Sequence, residues 1–196
     1  RTDARVHAEA QVCHFDLERK TSTETLQNAL NFFSKSYPLS ILKAEIVGND
    51  FHARFSARER TYVYRITNRR TPLALWEGFS WWVSRELNLD AMNVAARGLI
   101  GRHDFSTFRA AGCQANSPIR TLDQLYIERI GDQIIISARA RSFLYRQVRN
   151  IVGVLKLVGE GKWTSDNVSH ALMARNRAHG GPTAPAKGLY LVNITY

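Results

Sequence analysis

Cysteine is almost absent from this sequence: Cys13 and Cys113 stand far apart, and no Cys-x-x-Cys pair occurs. Two distant thiols argue against a disulfide framework and against a zinc site built on thiolates. The histidines His7, His14, His52, His103, His170 and His179 include no His-x-x-x-His pair, so a helical metal motif is missing too. No apolar run approaches the ~20 residues that span a bilayer, which excludes a transmembrane helix. Internal repeats, low-complexity tracts and long linkers are also lacking. The opening Arg1-Thr2-Asp3-Ala4-Arg5 has neither an initiator methionine nor the apolar core of a signal peptide, and reads as a point inside a domain.

Acidic residues are scarce as well. Against 17 of them stand 27 lysines and arginines, for a formal charge of +10 and a pI near 10.1. A solvated surface needs no such bias, whereas attraction to phosphates does, because each cation that neutralises one releases condensed counterions. The charge points to nucleic acid as the partner, with anionic membranes and acidic proteins as weaker alternatives. With 196 residues, 44% of them hydrophobic, the chain can bury a core of one or two domains.

The element pattern is irregular. Gln11–Asp16 reads as a short strand, and Thr21-x-x-Glu24 as a capping box for a helix over 22–35 that presents Leu26, Leu30 and Phe33. Ile41–Val47 reads as a strand. Residues 60–66 alternate with period two and place Tyr62, Tyr64 and Ile66 on one face, with Phe79–Val83 as the antiparallel partner. Asp90 is a candidate cap for a helix through Leu99 that stops at Gly101. Strands over 122–130 and 133–140 flank Gly131-Asp132, which suits a two-residue hairpin turn. Leu144, Val148, Ile151, Val152, Leu155 and Val158 form one helical stripe. A helix around 165–175 and a strand over 189–196 follow. The class is therefore α+β with a mainly antiparallel sheet.

Few residues invite chemistry. Asp3 lies in a polar loop between Arg1 and Arg5, with His7 close behind. It reads either as a turn residue or as a functional carboxylate held by arginines. Arg149 falls on the border of the apolar stripe, where a guanidinium is either solvated or partly buried and in need of an anion. Tyr62 and Tyr64, beside Arg58, Arg60 and Arg65, suit base stacking on a sheet, or core filling. The pair His103-Asp104 has no visible nucleophile.

Taken together, the segments resemble the TruA family of tRNA pseudouridine synthases along almost the whole chain. Arg1-Thr2-Asp3-Ala4-Arg5-Val6-His7-Ala8 resembles the family's catalytic loop, whose Asp is the essential residue. Phe51–Ala57 with Arg60-Thr61-Tyr62-Val63-Tyr64 resembles its second motif. Gly101–Phe108, Ser117–Thr121, Phe143–Gly153 and Thr183–Ala186 with Gly188–Leu191 resemble further blocks, in the family's order.

The resemblance implies two ferredoxin-like units that form one extended sheet, the first incomplete: residues 1–50 as a partial N-terminal unit and 51–196 as the C-terminal one. It implies isomerisation of uridine to pseudouridine in the anticodon stem-loop of tRNA, at positions 38–40, with no cofactor and no metal. Asp3, Tyr62 and Arg149 would be catalytic. Arg1, Thr2, His7, Arg58, Arg60, Tyr64 and Leu189 would face the RNA. Arg1 aligns with the residue thought to fill the space the base leaves, and Tyr62 would stack on the flipped base. A homodimer in the cytoplasm, or in the mitochondrial matrix of a eukaryote, completes the expectation, with tRNA as partner and no membrane.

Two departures stand out. Arg5 replaces a usual Gly, which would allow positive φ or close RNA approach. Family members also carry about 50 further residues before the Asp motif, without which a sheet edge would stay open. The alternatives are an RNA-binding α+β module without catalysis and a basic interaction domain.

Overall fold

The computed structural model describes residues 2–196. Among the described residues eleven strands and α-helices follow one another along the chain. They are β1 (His7–Ala8), α1 (Thr23–Phe33), β2 (Glu59–Asn68), β3 (Trp81–Val83), α2 (Leu89–Arg97), β4 (Gly101–Asp104), β5 (Ile119–Ile130), β6 (Gln133–Ala140), α3 (Gln147–Gly159), α4 (Ser165–Ala174) and β7 (Leu189–Thr195).

The alternating segment expected over 60–66 becomes β2, the strand that organises the sheet. It pairs antiparallel with β6 on one side, Tyr62 opposite Ala138, and with β7 on the other, Tyr62 opposite Leu191. The strand order is β1-β7-β2-β6-β5-β4, with β3 added beside β2. Gly131 takes φ +59 and Ile130 faces Gln133, so Gly131-Asp132 makes the tight β5–β6 hairpin foreseen from its glycine. Most pairs are antiparallel, as the irregular pattern implied.

One direction differs from expectation. β3 runs parallel to β2, with Ile66 opposite Trp81 and Asn68 opposite Val83. β7 occupies the same edge of β2 only as far as Tyr64. The long crossover between Asn68 and Trp81 lets β3 enter the remaining length from the same end, which a tight hairpin could not do. His103 and Asp104 lie in β4, an edge strand paired with Ile119–Leu122.

Alternation gives the sheet one apolar face. Tyr64 and Ile66 of β2, Leu122, Leu125 and Ile127 of β5, and Ile134, Ile136 and Ala138 of β6 are all buried there. The stripe of α3 completes that core, with Ile151, Val152, Val154 and Leu155 fully enclosed. Two helix starts differ from the expected caps. Ser22 Oγ accepts from Thr25 N at 3.0 Å, one position past Thr21, and Asn88 Oδ1 accepts from Ala91 N at 3.0 Å. Asp90 instead sits in the first turn of α2, where its charge suits the helix dipole.

Contacts divide the chain into two compact units, one joining the segment that ends at Gln11 to Ala57–Tyr196, the other Val12–Ser56. That is a different partition from a boundary at residue 50. The Asp loop belongs with the larger unit because His7 and Ala8 pair with Tyr190 and Leu191 of β7. In the smaller unit α1 buries none of its residues. The strands expected over 11–16 and 41–47 are absent. No ladder partner lies beside either segment among the described residues, and side chains of α1 serve the second one instead. Asn31 Oδ1 accepts from Ile41 N at 2.7 Å, and Gln27 Nε2 donates to Leu42 O at 2.9 Å.

Candidate active site

The site begins with a turn. Val6 N donates to Asp3 O at 3.1 Å, which closes the loop before β1, and Arg5 within it takes φ +66. A left-handed conformation there costs a non-glycine residue about 1 kcal/mol. A glycine would adopt it freely, so Arg5 keeps the loop's shape at some cost in strain.

The loop aims Asp3 at α3. Arg149 Nη1 donates to Asp3 Oδ2 at 3.0 Å, joining residues 146 positions apart in the sequence. The Arg149 side chain is 12% exposed and that of Asp3 21%, so the pair is largely withdrawn from water. Arg149 stands in the first turn of α3, which opens after Arg146 turns the chain at φ +60. Its Nε donates to Ala184 O at 2.8 Å, while Ala184 N donates to Arg149 O at 3.1 Å. Two bonds from one planar fork fix its orientation. Removing one partner would strand the other's charge at a cost of about 2 to 4 kcal/mol, below the fully buried figure because Asp3 keeps some contact with solvent.

Tyr62 is the third member. It is half-buried at mid-β2 and meets Phe143 edge to face at a centroid distance of 5.3 Å. Burial raises its phenol pKa, Arg60 opposes that, and the nearby Asp3 carboxylate adds to the rise. The hydroxyl therefore stays protonated at neutral pH. A carboxylate, a fixed guanidinium and a neutral phenol thus gather around one place.

The other expected residues divide. Arg1 lies outside the described residues. Thr2 is half-buried beside Asp3, and Arg58 is exposed and free to meet a solvent-borne partner. Arg60 Nη1 donates to Ala57 O at 3.1 Å and to Arg141 O at 2.5 Å, so its guanidinium also braces the backbone. His7 is packed: Nε2 donates to Gly78 O at 3.0 Å, and the ring stacks on Phe79 and Tyr190.

Tyr64 needs correction as an RNA-facing residue. Its side chain is fully buried, its hydroxyl donates to Pro185 O at 2.7 Å, and burial pushes its pKa far up. Tyr62 and Tyr64 share a face, but only Tyr62 sits where the core opens. Leu189 is buried opposite Tyr64 in the β2–β7 ladder. Phe143, the carbonyls of Ala184 and Pro185, and Asn150 join the site without any period or spacing in the sequence that singles them out. Backbone carbonyls leave no mark in the letters. Among the described residues no group of three or more His, Cys, Asp or Glu side chains gathers as a metal site, and no helix is long and apolar enough to cross a membrane.

This constellation can be set beside known proteins. A family model described as tRNA pseudouridine synthase matches residues 95–196. Over its full length the chain is 56% identical to tRNA pseudouridine synthase A of Paramagnetospirillum magneticum, covering 77% of that protein. It is also 56% identical to the enzyme of that name from Rhodospirillum centenum, covering 80% of it. The chain belongs to the TruA family of tRNA pseudouridine synthases. The same name is borne by a Rhizobium leguminosarum relative, 54% identical and covered to 74%. Within this family the α+β sheet described above is the synthase fold, and the family's reaction is an isomerisation.

Proposed function

We propose that this chain converts uridine to pseudouridine in the anticodon stem-loop of tRNA, at positions 38–40, with Asp3 as the catalytic carboxylate. The observation that carries this reading is the Asp3–Arg149 ion pair beside Tyr62. A chain with 27 basic and 17 acidic residues suits a phosphate-rich partner. The relatives' name supplies the substrate class.

The target base must leave its stack before its glycosidic bond is reachable, at a cost of a few kcal/mol. Tyr62, neutral and braced by Phe143, presents a ring on which the extruded uracil can stack. Asp3 then attacks C1′ or removes a proton next to it, and the C1′–N1 bond breaks. The uracil rotates and C5 bonds to C1′. In the first route this breaks the Asp3–C1′ bond; in the second, Asp3 returns its proton to the carbon beside C1′. C5 then gives up its proton and N1 gains one. Atoms balance without an added reagent. Arg149 keeps Asp3 aimed through the 3.0 Å bond from Nη1, so no reorganisation is needed when charge moves. The protein would work as a cytoplasmic homodimer.

The test is pseudouridine mapping on unmodified tRNA transcript with this chain and its Asp3→Asn variant. Product at positions 38–40 is expected, falling at least about 10³-fold in the variant with tRNA affinity kept within a few-fold. Full activity in Asp3→Asn would overturn the assignment. A chain that binds tRNA and makes no product would favour a binding module.

A further inference from the structure

The guanidinium of Arg149 is only as well placed as the carbonyl that holds it, and Ala184 belongs to a loop, not to an element. That loop crosses α3 so closely that a Cβ on Gly153 would lie 1.7 Å from Pro182 O. Beside Arg149 on the helix stands Asn150, whose side chain is buried. Its Nδ2 donates to Phe108 O at 2.7 Å. Its Oδ1 accepts from Thr183 Oγ1 at 2.6 Å and from Arg177 Nη2 at 3.3 Å. Arg177 Nη2 also donates to Gly181 O at 2.9 Å and to Thr183 Oγ1 at 3.3 Å. The side-chain oxygen of Asn150 is thus turned toward Thr183 of the loop and toward Arg177, which holds the loop as well, while its amide nitrogen is fixed on Phe108.

We propose that Asn150, Thr183 and Arg177 form a positioning cluster for the Asp3–Arg149 pair. The proposal rests on the catalytic reading of Asp3. Asn150 anchors Thr183, the residue next to Ala184, so the Ala184 carbonyl is set from the same helix turn that carries Arg149. The carbonyl fixes Nε, and the plane of the fork then directs Nη1 at Asp3. Without the Thr183 hydroxyl the loop keeps its apolar seat on α3 but loses the bond that sets its register. Displacements near 1 Å at a catalytic group cost on the order of 10²-fold in rate, so a smaller loss of register still shows in the chemical step.

Thr183→Val removes the hydroxyl while keeping the side chain's shape, and Thr183→Ser keeps the hydroxyl. Single-turnover rates at saturating tRNA, measured beside tRNA Kd, separate positioning from stability. Thr183→Val is expected to slow the chemical step about 10-fold or more with Kd within about two-fold, and Thr183→Ser to stay within about three-fold of the parent rate. A cluster that only stabilised the fold would lower the melting temperature of Thr183→Val and leave its saturated rate unchanged. That result would overturn the proposal, as would a Thr183→Ser variant as slow as Thr183→Val. Asp3→Asn is run in parallel. An active Asp3→Asn removes the catalytic reading itself, whereas an inactive one beside a parent-like Thr183→Val overturns the positioning alone.

Discussion

Two helices with similar amphipathic sequences meet different fates in this molecule. In the larger unit α3 buries most of its residues, with Ile151 and Leu155 wholly enclosed. In the Val12–Ser56 unit α1 carries Leu26, Leu30 and Phe33 at helical spacing and buries none of them, Phe33 being exposed. Propensity and caps suffice to form both helices, since α1 has its Ser22 cap and Glu24 in its first turn. What differs is the company each keeps. Most helical stability comes from packing an apolar face against something, and only α3 has a sheet and two further helices as neighbours in one core. The candidate catalytic residues Asp3, Tyr62 and Arg149 all belong to the larger unit, where side chains are held firmly enough to aim.

The contrast can be broken by truncation. Ile151→Ala should cost about 2 to 5 kcal/mol, because it opens a cavity in a closed core. Leu30→Ala should change stability by less than about 1 kcal/mol, since its side chain already meets solvent. Paired denaturant titrations measure both, and equal losses would refute the difference between the units. A smaller effect sharpens the account of the Asp loop. Arg5→Gly should relieve left-handed strain and stabilise the protein by up to about 1 kcal/mol. A loss of stability would mean that the Arg5 side chain contributes more than its backbone costs.

Much of the larger unit was legible in its letters. β2, the β5–β6 hairpin and the stripe of α3 announce themselves by period and by a glycine where positive φ is needed. The direction of β3 was not legible, because three residues carry no directional signal and the crossover before them fits either course. Nor was the separate fate of the two tyrosines. Alternation puts Tyr62 and Tyr64 on one face and cannot say where that face leaves the core. Residues 11–16 and 41–47 have strand-like composition, yet a strand exists only with a ladder beside it. At the site, the borderline position of Arg149 on its stripe and the family resemblance together pointed to Asp3, and the ion pair is present at 3.0 Å. The carbonyl of Ala184 and the amide of Asn150, which brace that pair, could be found only in three dimensions.

Replacing Arg149 by alanine shows what the Asp3–Arg149 pair holds and aims, if melting and single-turnover rate are followed on the same preparation. A carboxylate left without its partner in a site mostly closed to water should lower stability by about 2 to 4 kcal/mol. The rate of pseudouridine formation should fall by about 10²-fold or more at saturating tRNA. Melting and turnover both equal to those of the parent would contradict the account, because the ion pair would then hold nothing and aim nothing.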